Sequence, residues 1–112
     1  MPHKTFRLSP DLIRPIALGH GSCYATDRIT VDGAVVGYCY REASDNDIDS
    51  GWRFFAGDES QEYVDDPSNL ALYDVNTIAN YDAAIVAVLD SPPGSAFERS
   101  PSGQLTPVTD EA

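Results

Sequence analysis

The sequence predicts an α+β fold: a small, mainly antiparallel sheet with short helices packed on one side. Three observations carry this prediction. β-rich runs crowd the first half of the chain, helix-capping signals gather later at Asp74 and Asp82, and the two kinds of segment do not alternate as βαβ units would.

Residues 1–19 read as an arm, in which Pro10 and Asp11 open a short helical turn that Pro15 limits. Gly19, His20, Gly21 and Ser22 make a loop. The runs from Ser22 to Thr30 and from Ala34 to Glu42 meet around Asp32-Gly33, a dipeptide suited to the positive φ angles of a type I′ turn, so a hairpin is expected. With that turn as the centre, Cys39 falls opposite Thr26 and Cys23 opposite Glu42. The two cysteines then lie on opposite faces, which argues against a disulfide.

After a linker of turn formers from Ser44 to Ser50, a third strand is expected over Gly51 to Ala56, where Trp52 and Phe54 alternate with Arg53 and Phe55. Gly57 ends it. Glu59 to Val64 can make one acidic helical turn, stopped by Asp66-Pro67 because the residue before proline disfavours the α region. Leu70 to Tyr73 adds a short strand. Asp74 is a good N-cap for a helix over Val75 to Asn80, and Asp82 for another over Ala83 to Leu89. The run Ser91-Pro92-Pro93-Gly94 closes that segment, Ala96 to Arg99 returns as a strand, and residues 100–112 read as a flexible polar tail. The expected organisation is one domain over residues 20–99 between an arm and a tail.

A chain of 112 residues supports one core, and its 42% apolar and 22% charged residues are ordinary for a globular protein. Charge is what departs from the average. The net value is −11, and residues 42–82 hold 11 acids against the single base Arg53. Such a one-sided negative field opposes binding to a nucleic-acid backbone and steers basic partners into contact. The N-terminus lacks the uninterrupted apolar run of a secretory signal, and no segment approaches a membrane span, so neither membrane nor nucleic acid is an expected partner. A cytoplasmic location is expected, with Cys23 and Cys39 as small buried thiols.

Tests for chemistry are unproductive. Asp45, Asp47 and Asp49 match the first, third and fifth positions of a calcium loop, yet Ser50 and Ala56 stand where that loop needs glycine and glutamate. His20 and Cys23, with His3 and Cys39, do not assemble four zinc ligands at a recognised spacing. There is no nucleophile elbow, phosphate loop or His-Glu-x-x-His motif. No cofactor, no metal and no enzymatic activity are expected.

What remains is SGWRFFAGDESQEYVDD at 50–66, which sets the only tryptophan and two phenylalanines beside a run of acids. Aromatics amid carboxylates provide anchors with a negative surround, the complement of a surface rich in Arg and Lys. The candidate docking residues are Trp52, Asp58, Glu59, Glu62, Tyr63, Asp65, Asp66 and Asp74, and Phe54 and Ile78 are expected in the core.

Three stretches, SGWRFFAGDES at 50–60, YDVNTIANYD at 73–82 and SPPGSAFER at 91–99, preceded by VGYCYRE at 36–42, together resemble a known family. It is a small bacterial domain grouped, under the number thirty-three, with the predicted immunity proteins of polymorphic toxin systems. The resemblance spans about residues 20–99. It implies a stoichiometric, non-catalytic inhibitor of a cognate protein toxin, and the acidic bias of this chain adds a basic target such as a nuclease. The alternative is a small ligand-binding or regulatory module, for which Trp52, Tyr38 or Tyr40 would line a pocket with Arg53 or Arg41. Metal-assisted hydrolysis would instead require carboxylates of the 45–49 loop and of residues 58–66 to converge on one ion.

Overall fold

A computed structural model of the chain describes residues 5–44 and 46–108. It contains a six-stranded sheet in the order β4-β1-β3-β2-β5-β6. The strands are β1 (Ser22–Thr26), β2 (Tyr38–Arg41), β3 (Asp49–Phe55), β4 (Leu70–Asp74), β5 (Ala96–Arg99) and β6 (Leu105–Pro107). Every neighbouring pair is antiparallel except β1 and β3, which run parallel. The helices are α1 (Asp27–Thr30), α2 (Gln61–Asp65) and α3 (Val75–Tyr81), with 3-10 turns at Pro10–Leu12, Pro67–Asn69 and Ala83–Val88. The architecture is α+β and mostly antiparallel, as the sequence predicts.

The hairpin around Asp32-Gly33 does not form. Residues 27–30 turn into α1, and Gly33, beyond Val31 and Asp32, takes a φ of 80° with its amide bonded to the Ile29 carbonyl. The positive φ offered by Asp-Gly serves a helix terminus as readily as a type I′ turn, and here it closes a helix. β3 therefore separates β1 from β2. Cys39 pairs with Phe54 and Phe97 and Cys23 with Tyr73, rather than with Thr26 and Glu42. Both thiols are buried in the same core and unbonded. The expected tail also needs correction, because Leu105–Pro107 pairs with β5 as an edge strand. Its three residues carry too little periodicity to be read as a strand.

The remaining elements fall close to their expected positions because their local signals are strong. Asp74 caps α3 by accepting from the Asn76 amide, and Asp82 caps the Ala83–Val88 turn by accepting from Ala84. Ser60 caps α2 through the Tyr63 amide. Alternation along β3 sends Trp52 and Phe54 inward, where their rings stack 5.8 Å apart, while Phe97 packs 6.2 Å from Trp52. The core lies between this sheet face and the α3 to Ala83–Val88 segment, joining Cys23, Ala25, Cys39, Trp52, Phe54 and Phe97 to Val75, Ile78, Ala79, Ile85, Val88 and Leu89.

Two polar devices tie the covering layer down. The largely buried Asp82 carboxylate accepts from the Val36 amide and pairs with the Arg99 guanidinium of β5. Residues 14–17 of the arm lie against α3, where the Asn76 side chain accepts from the Ile16 and Ala17 amides and donates to the Arg14 carbonyl. Asn80 accepts from the Arg14 amide and donates to the same carbonyl. The helix thus holds the arm through its peptide groups, and Ala17 is buried.

Candidate functional site

The helices that build the core occupy one sheet face, and the opposite face is largely open, bordered at its Thr26 and Phe55 end by Glu59 and Val64. Its side chains follow from strand register. Tyr24 sits beside Leu72 on one neighbour and Arg53 on the other, and Arg53 is followed across the sheet by Tyr40. Tyr38 lies between Phe55 and Glu98. A water-facing sheet ordinarily alternates polar residues outward. Here five of those positions are Tyr24, Leu72, Tyr38, Tyr40 and Phe55, and Leu72 is 57% exposed and Tyr24 41%.

Arg53 is the centre of this face. Its guanidinium lies 4.8 Å over the Tyr24 ring and donates to both Asp49 oxygens at 3.0 Å and to Glu42 at 2.8 Å. The arginine holds the Asp49 carboxyl below the usual carboxylate range, against the opposing effect of partial burial. Beside it, Tyr40 stacks on Phe55 at 5.8 Å, with Tyr38 5.9 Å from Tyr40. These rings, with Gly57, Glu59 and Val64, line a hollow of about 210 Å³. On the other side of Arg53, Tyr24, Leu72 and the 73%-exposed Ile48 line another of about 280 Å³. Trp52 to Phe55 can present this alternation because β3 bulges before it: Ser22 pairs with Asp49 but Tyr24 with Arg53. Gly51 absorbs the bulge at a φ of 89°, and a Cβ there would collide with the Glu42 carbonyl oxygen.

The docking residues expected from sequence divide into three groups. Trp52 is no surface anchor: it is 0% exposed and its indole N–H donates to the Leu89 carbonyl, since the bulged strand turns it into the core. Glu59 turns inward, accepting from the Thr26 hydroxyl at 2.6 Å and the Ala56 and Gly57 amides at 2.8 and 2.9 Å, which places its carboxylate at the rim of the aromatic hollow. Asp58, Glu62, Asp65 and Asp66 are exposed on and around α2, at the border of the open face, with Tyr63 half-buried among them. Asp58 is bound on both oxygens by Arg28, which lowers its carboxyl from the ordinary value, whereas Asp66 and Asp74 cap the turns that follow them. Asp74, at the far end of β4, stands apart from the α2 acids.

Sequence reading missed Tyr24, Leu72, Tyr38, Tyr40 and Phe55 as one surface. The period-2 spacing of Tyr38, Tyr40 and Phe55 was the available signal, but strand order alone brings them to Tyr24 and Leu72. Of the residues expected to line a ligand pocket, Tyr38 and Tyr40 line the open hollow, but Trp52 is sealed in the core, Arg53 is paired with Asp49 and Glu42, and Arg41 donates to the Ser50 and Ser91 carbonyls. Asp45 lies outside the described residues, Asp49 is engaged with Arg53, and among the described residues no three His, Cys, Asp or Glu side chains are grouped to hold a metal ion. No helix among them is long and apolar enough to cross a membrane.

Sheet, helical cover and open aromatic face define a small α+β domain built with one sheet surface left largely open. A family model described as the immunity protein Imm33 domain matches residues 23–109, and the chain belongs to that family. No curated protein and no solved structure matches it.

Proposed function

We propose that the chain is a stoichiometric, non-catalytic inhibitor of a cognate protein toxin, acting in the cytoplasm and docking through the open sheet face and the acidic border at α2. The observation that carries this reading is the apolar and aromatic composition of a sheet face that lies opposite the core helices and is only bordered by α2. Family membership supplies the class of partner. Uncompensated acids around the face favour a basic toxin surface, such as the substrate-binding side of a nuclease, by raising the encounter rate and setting orientation.

The test is co-expression and co-purification with a candidate toxin. Relief of toxicity, a one-to-one complex, and loss of binding in a variant carrying Tyr24→Asp with Leu72→Asp are expected. Reversing Glu62, Asp65 and Asp66 to lysine should slow association about tenfold at low salt and much less at high salt. A toxin neutralised equally well by both variants would show that this face is not the one that docks.

A further inference from the structure

The hollow over Tyr38, Tyr40 and Phe55 has a composition that goes beyond general stickiness. Three aromatic rings line it, with centroid separations of 5.8–6.1 Å, and Glu59 lines it with them. The three donors to Glu59 are a hydroxyl and two peptide N–H groups, none of them a cationic side chain. Glu59 Oε2 takes two of them and Oε1 one, which leaves Oε1 an acceptor direction. The same face already shows what such surroundings hold. Immediately across β3, the Arg53 guanidinium sits over the Tyr24 ring between two carboxylates. Among the described residues, the cation–ring contacts fall on Tyr24 and Trp52, and the Tyr38, Tyr40 and Phe55 faces carry none.

We propose that this hollow is the receptor for an arginine side chain of the protein partner, its guanidinium lying on the rings and donating to Glu59. The inference rests on the inhibitor reading and deepens it, naming one contact within the docking face. Planarity suits arginine: a flat, weakly hydrated cation stacks on rings and donates in its own plane, as a compact ammonium does not. The volume of about 210 Å³ admits one such side chain.

The experiment is an NMR titration of the full chain with N-acetyl-arginine methylamide and, separately, with its uncharged isostere N-acetyl-citrulline methylamide. Saturable shifts of the Tyr38, Tyr40 and Phe55 ring signals are expected with the arginine compound, and about tenfold weaker binding of the citrulline compound. Phe55→Leu and Tyr40→Leu, each checked for an unchanged fold by its amide spectrum, should weaken arginine binding several-fold. Equal response to both compounds, or shifts confined to exposed acids of α2, would overturn the proposal. Should either variant unfold, the comparison of the two compounds on the wild-type chain still decides. Neutralisation of a toxin without arginine uptake would sink the receptor and leave the inhibitor reading standing; arginine uptake without any toxin neutralised would do the reverse.

Discussion

At the scale of single residues, burial sets the chemistry of the two thiols. Desolvation pushes the Cys39 thiol up to about 12 and raises Cys23 further, so neither offers a thiolate at neutral pH. A thiol reagent such as a chromogenic disulfide should label neither in the native protein at pH 8 and both after denaturation. Asp49 illustrates the opposite shift. Arg53 lowers its folded-state pKa below the unfolded value of about 3.9, so its contribution is complete at neutral pH and is lost as pH falls through the folded value. Unfolding free energy should therefore decline as pH drops from about 5 to about 2, and Asp49→Asn, which cannot ionise, should show a shallower decline in urea titrations. Asp82 is more deeply engaged. Replacing it with asparagine leaves Arg99 without its counter-charge, and a loss of about 3 kcal/mol is expected, read as a drop of roughly 10 °C in the melting midpoint.

At the scale of elements, the β3 bulge decides which side chains become core and which become surface. Gly51→Ala should destabilise the chain by more than about 1 kcal/mol, because the alanine must adopt a left-handed φ against the Glu42 carbonyl. Denaturant unfolding of that variant measures the effect, and its NMR ring signals would report whether Arg53 and Phe55 still face outward. This is also where the sequence was most legible and least. The capped segments at Asp74 and Asp82 could be placed because a capping side chain acts within a few residues of itself, and the turn at 61–65 because proline limits the residue before it. The region after Thr26 could not, because Asp-Gly supplies positive φ to helix ends and hairpins alike. Choosing between them depends on β3 arriving, from distant sequence, to take the place beside β1.

At the scale of the whole molecule, the site was half legible. The acids at residues 58–66 and the aromatic β3 could be recognised as neighbours by adjacency alone. Tyr24, Leu72, Tyr38 and Tyr40, which share the open face with Arg53 and Phe55, come from three other strands, and alternation does not say which face the helices will cover. Trp52, expected at the surface, is therefore core, while Tyr40 shares the open face with Arg53. The net charge of −11 acts at the same scale, and with Arg28, Arg53 and Arg99 engaged in ion pairs much of the acidic excess is left for solvent or a partner.

The clasp of the arm by Asn76 and Asn80 has a consequence for variation. Both amides read only the peptide groups at Arg14, Ile16 and Ala17, which every residue but proline presents alike. Side chains at 14 and 16 are thus free to be exchanged wholesale while the arm stays seated, whereas proline at 16 or alanine at 76 should release it. The molecule has at this place a holder that is blind to the identity of what it holds, so a short foreign tag of similar length could be threaded there without disturbing the face on the far side of the sheet.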